Sequence, residues 1–258
     1  MSTQKVTLRV YRGDAESGEL QDYTVEVSEG MVVLDAVHQI QATQAPDLAC
    51  RWNCKAGKCG SCSAEINGKP RLMCMTRMVD AIKTAEGGPI LVKPMKTFPH
   101  IKDLVTDVSQ NYRNNKKITP FRPAPKGPDG EWKIFQYEID RAQEFRKCIE
   151  CYLCQNVCHV LRDHHEFSFA GPRYMVRAAG LEMHPADQGD RIDQLKEELG
   201  IGYCNITKCC TEVCPEGIHI TDNAIIPLKE RVVDEHYDPI TALFRKVFGK
   251  KAPPNPAP

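Results

Sequence analysis

The sequence of 258 residues lacks any excess of charge, with 34 basic and 34 acidic side chains. No field of one sign therefore draws it to nucleic acid or to an anionic membrane surface. Long apolar runs are also missing. Runs such as Met31 to Leu34 and Ile90 to Val92 fall far short of the roughly 20 residues needed to cross a bilayer, so no membrane span is expected. The N-terminal stretch has no apolar core and no small-residue cleavage site, and no secretory leader is expected. Tryptophan is scarce, with two residues, and none lies beyond Trp132. What is abundant is cysteine, 13 in all. In the reducing compartment expected for such a chain these thiols point to metal binding or redox chemistry rather than to a disulfide framework.

The first hundred residues carry strand signals. Val6, Leu8 and Val10 alternate on one face, as do Tyr23, Val25 and Val27 after a polar turn. Val33, Val37 and Ile40 then recur at helical spacing, with Ser28 and Gly30 as start signals. After a cysteine-rich loop, residues 63–76 read as two short strands joined at Asn67-Gly68, a dipeptide suited to a tight hairpin, and Ile90 to Val92 supplies a further strand. This is the pattern of a compact α+β domain, expected to span residues 1–113. Residues 114–136 are proline-rich and without apolar period, and form a linker. Residues 137–250 carry helical patterns only, and 251–258 are expected to be disordered.

Cys54-x4-Cys59-x2-Cys62, with Cys74 as fourth ligand, is the spacing of plant-type 2Fe-2S ferredoxins. Gly57 and Gly60 let the backbone curl so that N–H groups face the cluster sulfurs. A zinc site, or a set of reduced buried thiols, is the alternative, although an x4 spacing flanked by glycines suits zinc less. Cys50 reads as a small buried apolar residue. In the second half Cys148-x2-Cys151-x2-Cys154-x3-Cys158 is the bacterial ferredoxin run, with His159 where proline usually follows. A second, incomplete copy has Cys204, then Thr207 in place of a cysteine, then Cys210-x3-Cys214-Pro215. In two-cluster ferredoxins the fourth cysteine of each run serves the other cluster. Cys148, Cys151, Cys154 and Cys214 would then hold a 4Fe-4S cubane, and Cys158, Cys204 and Cys210 a 3Fe-4S cluster. Eleven of the 13 cysteines become ligands, with Cys50 and Cys209 spare. Two alternatives stay open: Cys209 replaces Cys210 or completes a second cubane, or the Thr207 hydroxyl binds iron.

With CKAGKCGSC, CIECYLCQNVC, CNITKCCTEVCP and AGPRYMVRA in this order, the chain closely resembles the iron-sulfur subunits of succinate dehydrogenase (succinate:quinone oxidoreductase) and fumarate reductase. The resemblance covers nearly the whole length. It implies an N-terminal plant-ferredoxin-like β-grasp domain and an all-α bacterial-ferredoxin-like domain. It also implies a flavoprotein partner with FAD, where succinate becomes fumarate, and one or two membrane anchor subunits with quinone and, in some members, haem b. The location implied is the cytoplasmic face of the inner (plasma) membrane, peripheral, within a membrane-bound complex. Electrons would run from 2Fe-2S through 4Fe-4S to 3Fe-4S, and the chain itself would turn over no substrate. Cys158 is followed by HVLRDHHEFSF and Cys204 by Asn205, which departs from the family's quinone pocket and suits transfer to haem in a single anchor with a low-potential quinone. His159, His164 and His165 are candidates for proton carriage or haem-side contact, or else a solvated face. Leu243, Phe244, Val247 and Phe248, ringed by Arg245, Lys246, Lys250 and Lys251, form a helical side that either rests on the anchor or packs on its own domain. Three other readings compete: fumarate reductase, quinol- or thiol-coupled, running the reverse reaction; a free-standing ferredoxin, disfavoured by the neutral charge; and a non-redox protein stapled by zinc.

Overall fold

A computed structural model describes residues 4–164, 168–240 and 243. His165 and most of the predicted basic amphipathic segment and tail (244–258) lie outside the described residues. The chain divides into two compact units.

The first unit comprises residues 1–110, 149–157 and 213–215. Strands β1 (Gln4–Gly13) and β2 (Gly18–Val27) form a long antiparallel pair, and helix α1 (Val33–Thr43) follows. The helix starts later than Ser28 and Gly30 signal: Val32 is its cap residue, and its N–H donates to Asp35 Oδ2 at 3.2 Å. The hairpin of β3 (Ser63–Ile66) and β4 (Lys69–Leu72) turns at Asn67 and Gly68, both with positive φ (48° and 76°). Helix α2 (Met78–Thr84), strand β5 (Ile90–Lys93) and the small pair β6 (His100–Lys102) and β7 (Val105–Thr106) complete the order. The sheet runs β2-β1-β5-β3-β4, with β5 parallel to β1 and antiparallel to β3. The period-2 residues Leu8, Val10 and Val25 and the helical Val33, Val37 and Ile40 meet in one core. Each such side chain stabilises the fold by about 1.5–3 kcal/mol.

Two polar knots brace this unit. Buried Asp103 accepts hydrogen bonds from the Gly13 N–H (2.9 Å), the Ala49 N–H (2.7 Å) and Arg12 Nε (3.0 Å). Fully buried Asn156 donates to Glu65 Oε1 (2.8 Å) and accepts from the Thr97 N–H (3.1 Å), which fixes the cysteine-bearing segment 149–157 within the unit. Asn156→Ala removes both bonds and is expected to destabilise the unit by about 1–3 kcal/mol, read as a lowered thermal midpoint of the 2Fe-2S absorbance.

Helix α3 (Ser109–Asn115) follows β7, and residues 116–135 contain no helix or strand beyond an isolated bridge between Pro123 and Asp187. Then come α4 (Gln136–Gln143) with a 3-10 turn to Lys147, α5 (Leu153–Val157), α6 (His159–Asp163) and α7 (Pro172–Glu182). α8 (Ile192–Glu197), α9 (Cys209–Glu212) and α10 (Ile226–His236) follow, the last entered through a π-helical turn at Ile220–Ile225. All but α5 and the start of α3 belong to the second unit, which comprises residues 111–148, 158–212 and 216–258. No strand lies in it among the described residues. Gly171 caps α7 at a φ of 100°, and Pro172 opens it, where the missing N–H has no helical partner to lose. The helix is buried nearly all round, from Tyr174, Met175 and Val176 to Ala178 and Ala179.

Candidate iron-sulfur sites

Cys54, Cys59, Cys62 and Cys74 all lie in the first unit, three of them on the irregular loop between α1 and β3. Its backbone coils through positive φ at Lys55, Gly57 and Gly60. A Cβ on Gly60 would stand only 2.5 Å from Cys151 Cα, so that approach needs glycine, while at Gly57 the exposed Met75 side chain can move aside and it is the φ of 68° that favours glycine. The coil brings the Ala56 and Lys58 N–H groups to Cys54 Sγ, each at 3.3 Å. Burial raises the Cys59 thiol, but hydrogen bonds from the Ser61 hydroxyl, from the Cys54 and Ser61 backbone and with the Cys54 thiol outweigh it and hold the group at about 6. Cys62 is pushed the other way, up to about 12, by burial and by the neighbouring Cys74 and Cys59. The four thiols thus adjoin one another in sequence from Cys54 to Cys74. One rim already favours thiolate, while the buried end would have to give up its proton for a metal to bind there. Cys50 stands apart. Its thiol is raised to about 12 by burial alone and donates to the Arg51 carbonyl at 3.7 Å.

In the first bacterial-type run, Cys151 and Cys154, with Cys214, lie in the first unit, and Cys148 is the last residue of the second before the crossing. Glu150 (φ 56°) and Tyr152 (φ 62°) flank Cys151 with left-handed backbone, and Ser63 Oγ donates to the Cys151 and Gly60 carbonyls at 2.9 and 2.8 Å.

Cys158, Cys204 and Cys210 all lie in the second unit. Cys158 is buried, which raises its thiol to about 11. The Val160 and Leu161 backbone N–H groups at the start of α6 pull the other way, and Cys209 and Cys204 adjoin it. Cys210, also raised to about 11 by burial, sits 3.4 Å from Thr221 Oγ1 and beside Cys209, Cys204 and Cys158. Lys229 Nζ donates to the Cys204 carbonyl at 2.6 Å. Between Cys204 and Cys210, Ile206 (φ 58°) and Lys208 (φ 62°) repeat around Thr207 the two left-handed residues that flank Cys151. Thr207 therefore occupies the backbone position that Cys151 holds in the first run, with a hydroxyl in place of the thiol. Its hydroxyl is held by His159 Nε2 at 2.7 Å and lies 3.4 Å from Cys209 Sγ. His164 stands just past the end of α6.

Sequence reasoning missed Ser61, Thr221 and Lys229. Ser61 lies between two ligands, and a hydroxyl inside a ligand loop was the available signal. Thr221 and Lys229 reach the cysteines only through the fold. Among the described residues no three His, Cys, Asp or Glu side chains are placed to hold a single metal ion as one zinc would require. Thiolates of an iron-sulfur cluster are spread over several irons, and the donor set here, all sulfur with N–H groups turned toward it, fits that requirement.

The two thiol-bearing units define an iron-sulfur electron carrier. Residues 7–113 match the family of 2Fe-2S iron-sulfur cluster binding domains, and residues 144–218 the 4Fe-4S dicluster domain family. The chain is 33% identical over 214 residues to a fumarate reductase iron-sulfur subunit of Mycobacterium tuberculosis, covering 81% of this chain and 84% of that one. It is 30% identical to the succinate dehydrogenase iron-sulfur subunit of Paracoccus denitrificans, covering 87% of each. Its fold is similar to a chain of the Mycobacterium smegmatis Sdh1 complex in the apo form, with a TM-score of 0.88 and 61% identity over 93% of this chain and all of that one. The chain belongs to the family of iron-sulfur subunits of succinate dehydrogenases and fumarate reductases. It is an electron-transfer subunit of such an oxidoreductase complex. Among the described residues no helix is long and apolar enough to cross a membrane.

Proposed function

We propose that the chain conducts electrons from the FAD of a flavoprotein partner, where succinate becomes fumarate, to quinone or haem in a membrane anchor at the cytoplasmic face of the inner (plasma) membrane. Cys54, Cys59, Cys62 and Cys74 hold the 2Fe-2S cluster, Cys148, Cys151, Cys154 and Cys214 the 4Fe-4S cubane, and Cys158, Cys204 and Cys210 the 3Fe-4S cluster. When bound, these clusters supply one-electron steps between two-electron partners. The residues of the chain fix the sulfurs, direct N–H groups at them and keep the thiols from water, which sets where electrons reside. The sheet order with α1 against it supports a β-grasp domain over 1–113. A linker at 114–136 leads to a bacterial-ferredoxin-like helical domain over 137–250.

The observation that carries the cluster assignment is the repeat of left-handed residues at Glu150 and Tyr152 in Ile206 and Lys208, with Thr207 in the ligand position. Low-temperature electron paramagnetic resonance of the anaerobic complex tests it. An oxidised-state 3Fe-4S signal, followed by a 2Fe-2S signal on reduction with succinate, is expected; an EPR-silent oxidised sample with two cubane signals on strong reduction would contradict it. Thr207→Cys supplies the absent thiolate, and the expected result is loss of the oxidised signal and a second cubane signal under dithionite. The relative named as a fumarate reductase favours a second reading, the reverse direction. Succinate oxidation by quinone outpacing fumarate reduction by quinol in the same membranes would reject it.

A further inference from the structure

We infer that the cluster site of Cys158, Cys204 and Cys210 takes up a fourth iron, with Cys209 as its ligand, when ferrous iron meets the reduced state. The inference rests on the 3Fe-4S reading of that site. Four thiols, not three, gather there: Cys209 adjoins Cys158 and Cys210, and its sulfur lies 3.4 Å from the Thr207 hydroxyl that stands in the ligand position. In the first run the matching residue is Leu153, 1% exposed and absorbed into the apolar core. In the second run the same position carries a half-buried thiol that lies against the Thr207 hydroxyl. Left-handed Lys208 precedes it and α9 spans only Cys209–Glu212, so a small rotation of this turn moves Cys209 toward the open corner without disturbing a long helix.

The chemistry balances without an outside oxidant. One electron, delivered by the subunit's own transfer activity, brings the 3Fe-4S core to its neutral state. A ferrous ion then adds to give a 4Fe-4S core of charge 2+, the Cys209 S–H bond breaks as its S–Fe bond forms, and the proton leaves to solvent. His159 holds the Thr207 hydroxyl at 2.7 Å, which keeps oxygen rather than sulfur at the corner until Cys209 moves in.

The test uses the whole complex, purified anaerobically, reduced with dithionite, incubated with ferrous ammonium sulfate and freed of excess iron. Loss of the oxidised 3Fe-4S signal and appearance of a cubane signal are expected in the unaltered complex, and retention of the oxidised signal in Cys209→Ala. Iodoacetamide labelling followed by mass spectrometry gives a second readout that needs no variant: Cys209 is expected to label before iron addition and to be protected afterwards. Persistence of the 3Fe-4S signal in the unaltered complex, equal conversion in Cys209→Ala, or unchanged labelling of Cys209 would each overturn the inference. A sample with no 3Fe-4S signal before iron is added overturns the underlying reading, and the inference with it.

Discussion

Cys62→Ala is expected to remove the 2Fe-2S signal from the complex and to stop succinate-to-quinone turnover while leaving reduction of the flavin by succinate possible. The loss should well exceed the about 10–100-fold typical of changes in residues that only support a ligand. Cys62 is buried at 3% exposure, and its neighbours Cys74 and Cys59 belong to the same thiol group. Cys50 is not positioned to replace its sulfur, because its thiol donates to the Arg51 carbonyl and no cysteine of the group acts on it. Metal binding in such a loop is also folding free energy, since the coil through Lys55, Gly57 and Gly60 has no helix or strand to hold it. Loss of assembled complex on native gels should accompany loss of the signal. Cys50→Ala is the control: the 2Fe-2S signal and turnover are expected to persist, with a stability loss of about 1 kcal/mol from a small cavity. Loss of the 2Fe-2S signal in Cys50→Ala, or its retention in Cys62→Ala, would contradict the ligand set.

Much of the first unit could be read from periodicity, because its strands and α1 bury one face each. Val6 to Val10, Tyr23 to Val27 and the Asn67-Gly68 turn all fall where local rules place them. The parallel pairing of β5 with β1 could not be read, since Leu8 and Ile90 meet through a register that no local signal encodes. Helix α2 was also missed. Its seven residues, MVDAIKT, bury only Met78 and Ala81, too few for a period to emerge. In the second half α4, α7, α8 and α10 were visible, but the short α5, α6 and α9 beside the cysteines were not, nor was the π-helical turn before α10, where the pattern DNAIIPLKERVVDE reads as one continuous helix. The ferredoxin-type cysteine runs stand out in the sequence by spacing alone, and the two family matches over 7–113 and 144–218 contain them. The left-handed backbone beside Cys151 and Thr207 was not, because Glu150, Tyr152, Ile206 and Lys208 are residue types that rarely adopt it. Membership of residues 149–157 in the unit that holds the sheet depends on Asn156 reaching Glu65, 91 positions away.

Arg191 looks in sequence like one more charge on an exposed helix, in RIDQLKEELG, yet its side chain is completely buried. All five of its N–H donors are used. Nε donates to the Thr119 carbonyl (2.8 Å), Nη1 to the Gly189 carbonyl (3.0 Å) and Glu182 (3.5 Å), and Nη2 to the Pro120 carbonyl (2.9 Å) and Asp187 (2.7 Å). One side chain thus fastens the irregular stretch at 119–120 to the loop between α7 and α8, where Gly189 has no room for a Cβ beside the guanidinium. Arg191→Ala takes the cation from the Asp187 carboxylate, 1% exposed, leaving it only the Arg122 and Gly189 N–H groups on Oδ1, and takes the donor from the surrounding carbonyls. Removing one partner of such a buried pair costs about 3–5 kcal/mol, which for a unit of this size lowers the thermal midpoint by about 6–20 °C. Arg191→Lys keeps the charge but offers three donors from a single nitrogen, so it can satisfy Asp187 but not the Thr119 and Pro120 carbonyls together. Its midpoint should fall between those of Arg191→Ala and the unaltered chain. Circular dichroism melts of the two variants would check this order, and a midpoint for Arg191→Ala within a degree of the unaltered chain would refute the role assigned to Arg191.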